Sequence, residues 1–203
     1  MADAFRSKYF TTAEPVRLAF CYLFKPKPGK KPTDRPKFSV TIVVPKTSQA
    51  LIAQIKAAAE EVLSAKFGTA VRPPNIRRGI KDGDQPNNEG KTYPALAGAY
   101  YLDLSTFNQP TLVAEDAATP LTALADSGKL YAGCFANVHM NAYWYDTDGN
   151  KGVAWGLSMV QRVRDGEKLG GNGGDPRTAF KPVSVPGSAA AGNGDDMADL
   201  MGG

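Results

Sequence analysis

An Asp-Gly turn between two long alternating runs constrains this chain more than any other feature. Residues 146–150 read Asp-Thr-Asp-Gly-Asn. Gly reaches positive φ without steric penalty, which the tight turns joining antiparallel strands require. Before the turn, Cys134, Ala136, Val138, Met140, Ala142 and Trp144 alternate with Phe135, Asn137, His139, Asn141, Tyr143 and Tyr145. After it, Val153, Trp155, Leu157, Met159 and Val163 alternate with Ala154, Gly156, Ser158, Arg162 and Arg164. Successive strand side chains point to opposite faces, so each run has one buried face and one face turned to solvent or a ligand. The segment is expected to form an antiparallel hairpin, with Trp144 and Trp155 on its core side.

Three further runs keep the same period. Val16, Leu18, Phe20, Tyr22 and Phe24 are expected to share a face. Phe38, Val40, Ile42 and Val44 oppose Lys37, Ser39 and Thr41, and Tyr100, Leu102 and Leu104 oppose Tyr101, Asp103 and Ser105. One stretch has helical spacing instead: Leu51, Ile55, Ala58, Ala59, Val62 and Leu63, with Thr47 or Ser48 as its cap and Gly68 as its stop. A helix between early strands, five or more antiparallel strands and long loops suit a mainly β chain with one or two helices. The expected architecture is an OB-like closed antiparallel β-barrel, one end plugged by the helix. Residues 1–182 are assigned to this domain and 183–203 to a flexible acidic C-terminal tail.

The tail assignment rests on composition. From Gly170 onward Gly, Asn, Pro, Ser and Ala dominate, which cannot bury enough apolar surface to order a chain. The net charge is +4, yet no Lys or Arg follows Lys181, while Asp195, Asp196 and Asp199 do. Without those three acids the body carries +7. A basic body with an acidic arm suggests a polyanionic partner and an arm able to compete with it. The basic residues concentrate in two irregular segments. Lys25–Pro36 holds Lys27, Lys30 and Lys31, and Arg72–Pro94 holds Arg72, Arg77, Arg78, Lys81 and Lys91. A loop as long as the second is usually functional or disordered. No apolar run reaches the ~18 residues of a membrane span, and residues 1–6 lack a signal-peptide core, so a cytoplasmic location is expected. Cys21 and Cys134 are expected to be buried thiols there.

Catalytic chemistry finds little support. One His and two Cys do not make an ordinary zinc site. Asp146-x-Asp148-Gly149-Asn150 has a trace of a calcium loop, but Leu157 stands where a bidentate acid is needed. His139 has no nucleophile motif around it, and the glycines of residues 170–174 lack the Lys-Ser/Thr of a phosphate loop. Asp82, Asp84, Asp103 and Asp116 form no tight acidic motif. No cofactor or metal is expected. The open hairpin face fits binding better. Phe135, Asn137, His139, Asn141, Tyr143 and Tyr145, beside Arg162 and Arg164, combine aromatics, amides and cations suited to unstacked bases and phosphates. The basic loops are expected to close over them. The competing reading packs these aromatics under the helix or a loop.

Several strings resemble a phage-encoded family of single-stranded DNA-binding proteins, once catalogued as a domain of unknown function. They are residues 37–46 (Lys-Phe-Ser-Val-Thr-Ile-Val-Val-Pro-Lys), 80–84 (Ile-Lys-Asp-Gly-Asp), 130–134 (Leu-Tyr-Ala-Gly-Cys) and 150–157 (Asn-Lys-Gly-Val-Ala-Trp-Gly-Leu), followed by Val160-Gln161. The resemblance runs from about Val16 to Phe180. It implies an OB-fold that coats single strands during phage replication or recombination, without catalysis. Asp195, Asp196, Asp199, Leu200 and Met201 are similar to the acidic tips through which such proteins recruit partners, here a phage polymerase, helicase or recombinase. The chain ends in Gly202-Gly203 instead of an acidic–aromatic tip. A homodimer stays open. The alternatives are a virion or assembly protein and a metal-dependent nuclease.

Overall fold

A computed structural model describes residues 8–169, apart from 30, 88, 123 and 148. Its elements run β1 (Lys8–Thr11), β2 (Val16–Lys27), β3 (Lys37–Pro45), α1 (Gln49–Phe67), β4 (Ile80–Asp82), β5 (Ala99–Thr106), β6 (Thr111–Val113), β7 (Phe135–Thr147) and β8 (Asn150–Arg164). Short 3-10 turns cover Pro94–Leu96 and Leu124–Gly128. The hairpin is β7–β8, with Thr147 opposite Asn150 and Gly149 at φ +76°.

The strands close on themselves. β2 pairs with β3, β3 with β5, β5 with β8 and β8 with β7, and β7 returns to β2 through Val16–Ala136 and Arg17–Phe135. This is the OB-like ring expected from the sequence, with one departure. The expectation was wholly antiparallel, but β5 and β8 run parallel, with Leu104 opposite Trp155. The reason is arithmetic: strand direction cannot alternate all the way round an odd-membered ring, so a five-membered ring needs a parallel pair. β1, β4 and β6 are added outside it, on β7, β5 and β8 respectively.

Inside the ring, Leu18, Val40, Ile42, Val44, Leu102, Leu104, Val138, Met140, Val153, Trp155 and Val160 form one buried core. The expected apolar stripe of α1, Leu51 through Leu63, packs onto it. Ser48 stands at the N-cap without a side-chain capping bond, and Gly68, at φ +54°, ends the helix with its N–H bonded to Ser64 O. Trp155 is core, its indole N–H donating to Arg78 O. Trp144 is only partly buried, edge-on to Phe67. Cys21 and Cys134 are free thiols, and burial pushes both pKa values up.

Two strands break their alternation. In β2, Ala19 faces Thr41 and Tyr22 faces Ser39, so β2 spends two residues where β3 has one. Phe20 takes up the extra residue at φ +47°, the left-handed region that L-residues other than Gly rarely enter. The bulge reverses the phase: Leu18 and Leu23 point inward while Phe20 and Tyr22 are exposed. The sequence expectation that Val16, Leu18, Phe20, Tyr22 and Phe24 share one face is therefore corrected. A second irregularity, between His139 and Met140 in the β7–β8 ladder, turns Met159 outward and brings Val160 into the core.

Candidate nucleic-acid interface

The bulge on β2 places Tyr22 at one end of a row that crosses six strands. Tyr22 pairs with Ser39, Ser39 with Ser105, Ser105 with Gly156, Gly156 with Asn141, and Asn141 with Tyr9. At ~4.8 Å between neighbouring strands, this outer-face row runs about 24 Å measured along the curved surface of the ring. Its centre is small and polar, and each end is a tyrosine. Three hollows lie along it. The first is bounded by Phe20, Tyr22, Tyr93, Tyr101, Lys27 and Lys81. The second holds Lys27, Arg35, Lys37, Ser39, Ser105 and Phe107. The third joins Ser105 and Phe107 to Asn141, Gly156 and Tyr9. Shared residues make them one groove.

Every aromatic side chain that is exposed among the described residues lies on this groove: Tyr9 at 55%, Phe107 at 45%, Phe20 at 44% and Tyr22 at 38%. Cations accompany them. Lys27 lies 5.4 Å from the Tyr22 ring centre, and Lys37 and Arg35 lie 4.7 and 4.9 Å from that of Phe107. Among the described residues, none of the three makes an ion pair with a carboxylate. Exposed cation–π contacts are worth ~0.5–1 kcal/mol, while a base stacked on an aromatic is worth ~1–3 kcal/mol. A base can therefore take the ring face and leave the cation free for its phosphate. Lys81 is held more firmly. It donates to Asp103 Oδ2 at 2.7 Å, while Thr41 Oγ1 donates to Oδ1 at 2.6 Å.

The hairpin residues singled out from the sequence have different surroundings. Asn141 lies in the groove. His139 borders it, stacked on Tyr9 with centroids 5.9 Å apart and its Nδ1 3.0 Å from Thr11 Oγ1. Tyr143 and Tyr145 continue the same face toward the turn, half-buried, and burial raises the Tyr143 pKa, with Tyr145 adding to it. Asn137 donates to Gln161 Oε1. Phe135 is covered by the Arg164 guanidinium at 3.5 Å. Arg162 is nearly enclosed, ion-paired to Glu115 and Asp165, with its Nε donating to Lys129 O.

The basic loops divide in the same way. Arg72 and Arg78 both grip Glu60, whose carboxyl they hold below its usual range. Arg77 uses its backbone to extend the β8 edge, bonding Lys151 and Val153. Lys91 pairs with Glu89, and Lys31 donates its backbone N–H to Asp34 Oδ2. Lys27 and Lys81 line the groove. Lys30 lies outside the described residues, as do Asp195, Asp196, Asp199, Leu200 and Met201. The string Leu130–Cys134 serves the fold. The Tyr131 hydroxyl lies 2.9 Å from Gly166 O, and a Cβ on Gly133 would overlap the Glu167 backbone.

Sequence reasoning missed Tyr9, Phe20, Tyr22, Tyr93, Phe107, Arg35 and Lys37. A usable signal existed in the polar faces Lys37-Ser39-Thr41 and Asp103-Ser105, which pair side by side as the groove floor. For Phe20 and Tyr22 there was none, because the bulge that exposes them leaves no mark in the residue pattern.

A five-membered strand ring plugged by a helix, with an aromatic and basic groove on its outer face, defines an OB-like protein. The sequence profile of a family described as the ssDNA-binding protein of Enterobacter phage Enc34 matches residues 9–188, and the chain belongs to this family. A putative protein p50 from Acyrthosiphon pisum secondary endosymbiont phage 1 is 35% identical over 179 residues, covering 84% of this chain and 91% of p50. The fold is shared with the solved structure of the phage Enc34 single-stranded DNA-binding protein in complex with ssDNA (TM-score 0.63, 22% identity, 80% of this chain and 89% of that one). A second solved structure of the phage Enc34 single-stranded DNA-binding protein matches similarly, at TM-score 0.62 and 20% identity over 85% of this chain and 90% of that one. No helix among the described residues is long and apolar enough to cross a membrane.

Proposed function

We propose that this chain binds single-stranded DNA without sequence preference during phage DNA replication and recombination, and does no chemistry on it. The observation that carries this is that, among the described residues, the exposed aromatics are confined to one groove supplied with cations that make no ion pair. Bases stack on Tyr22, Phe20, Phe107 and Tyr9, with Tyr93 and Tyr101 walling the first hollow. Lys27, Arg35, Lys37 and Lys81 take phosphates. Asn141 and His139 serve the far end. Arg162, Arg72 and Arg78 act on the fold. A floor of about 24 Å suits a strand segment near the lower end of the ~4–16 nucleotides that OB folds cover.

The work is done inside the infected host cell. The acidic tail, with Asp195, Asp196, Asp199, Leu200 and Met201, recruits a phage polymerase, helicase or recombinase. Deleting residues 194–203 should abolish capture of that partner and leave the groove intact; unchanged capture removes the tail's role.

Titration of the purified protein into labelled oligo-dT, duplex DNA and RNA at two salt concentrations tests the main reading. Tight, salt-sensitive binding to oligo-dT and much weaker duplex binding are expected, since stacking needs unpaired bases. Equal affinity for duplex and single strand defeats it. Incubation with Mg²⁺ or Mn²⁺ should leave the strand uncut.

A further inference from the structure

Residues 83–98 leave the ring and return to it at nearly the same place, carrying Tyr93 to the groove. Gly83 N–H bonds Ala99 O at 2.8 Å, and a Cβ on Gly83 would overlap the Leu96 carbonyl, so the loop closes with no room for a side chain. Its two ends are joined by one carboxylate: Asp84 Oδ1 accepts the Gly98 N–H at 2.8 Å. The Lys46 ammonium, at the end of β3, then ties that carboxylate to the ring. It donates to Asp84 Oδ2 at 2.7 Å and lies 2.8 and 3.0 Å from the two oxygens of Asp82. The Lys46 backbone N–H adds a bond to Gly98 O at 3.2 Å.

Across from this clamp, Tyr93 meets the bulge residue Phe20 edge-on, ring centroids 5.2 Å apart. Leu96 packs in a small cluster with Ala19, Val43, Ala99 and Tyr101. Lys46, Asp82 and Asp84 themselves line none of the three hollows. Lys46 is engaged by two carboxylates, which sets it apart from the groove cations Lys27, Arg35 and Lys37, which make no ion pair among the described residues.

We propose that Lys46, Asp82 and Asp84 are positioning residues: they fasten the 83–98 loop so that Tyr93 stands against Phe20 and fixes the wall of the groove where the first base stacks. This rests on the single-strand reading of the groove. It explains why a chain that handles a polyanion keeps two carboxylates near its binding face. Electrostatics alone predicts that removing either acid tightens DNA binding; positioning predicts the opposite sign.

The test uses the full chain, labelled oligo-dT and a salt series, with Asp84→Asn, Lys46→Met and Lys46→Arg, each checked for an unaltered unfolding transition. Trypsin cleavage after the loop residue Lys91 gives a readout without DNA. Asp84→Asn and Lys46→Met should each weaken binding about tenfold, the size of one misplaced stacking partner. Their salt slopes should stay unchanged, Lys91 should be cut faster, and Lys46→Arg should restore most of the affinity. Should Asp84→Asn fail to fold, the Lys46 pair carries the test. Equal or tighter binding by Asp84→Asn overturns the proposal, as does a salt slope reduced by about 0.7 in Lys46→Met, which would make Lys46 a phosphate contact. Failure of the unaltered protein to prefer oligo-dT would instead overturn the reading beneath it.

Discussion

The groove over β2, β3 and β5 and the open end of the β7–β8 hairpin, away from its turn, are built from the same residue types, in opposite states. On the hairpin, Asn137 is bonded to Gln161, Arg162 to two carboxylates, and Phe135 lies under Arg164. In the groove, Tyr22, Phe20 and Phe107 are exposed, and Lys27, Arg35 and Lys37 lie against ring faces without carboxylate partners among the described residues. Composition alone favours the hairpin. What distinguishes a surface poised for a ligand is which groups the fold leaves uncommitted, and that depends on register.

The contrast can be broken most sharply by paired truncations. Tyr22→Ala with Phe107→Ala should weaken oligo-dT binding about a hundredfold, two stacking contacts at roughly 1.4 kcal/mol each. Tyr143→Ala with Tyr145→Ala should cost less than about threefold, because those rings are half-buried and lie beyond the groove. Equal losses in a fluorescence titration would erase the distinction. A next effect sits at the bulge. Phe20→Gly and Phe20→Ala should both weaken binding about tenfold. Gly, however, should leave the protein about 1 kcal/mol more stable than Ala in urea unfolding, since only Gly adopts φ +47° without strain.

The two kinds of cation separate by salt dependence. Lys37→Met should reduce the slope of log affinity against log salt by about 0.7 for a single strand. Arg162→Met should leave the slope alone and lower stability by about 1–3 kcal/mol, as its hydrogen-bonded partners lose their donor. The smallest effect is in acid. Thr119 donors hold the Asp116 carboxyl down to about 2, and Lys46 and Arg72 act likewise on Asp82 and Glu60. Carboxyls depressed in the folded state contribute stability that is complete above their unfolded values, near pH 4, and lost as pH falls through the folded ones. Thermal midpoints should thus be insensitive to these groups between pH 5 and 7 and fall below pH 4, less steeply in Asp116→Asn. A decline beginning at pH 6 would assign the effect to other groups.

Much of the ring was readable because its strands are long and have one buried face. The β7–β8 hairpin, the β7 alternation and the α1 stripe depend on local spacing, and the structure has each. The phase of β2 was not readable: a single residue at positive φ exchanges Phe20 and Tyr22 for Leu23, and nothing in Leu18-Ala-Phe-Cys-Tyr-Leu23 requires it. Met159 and Val160 changed places for a similar reason. Which arginines are engaged was hidden too, since Glu60 lies 12 residues from Arg72 and Glu115 lies 47 from Arg162. Such pairs form through tertiary contact and leave no trace in spacing.

Photo-crosslinking of the full chain to oligonucleotides containing 5-iodouracil, mapped by mass spectrometry, tests the central claim most directly. The account predicts crosslinks at Tyr22, Phe107 and Tyr9, with Phe20 or Tyr93 when the modified base sits at one end. Crosslinks confined to Tyr143, Tyr145 and Phe135 would contradict it and return the strand to the hairpin face.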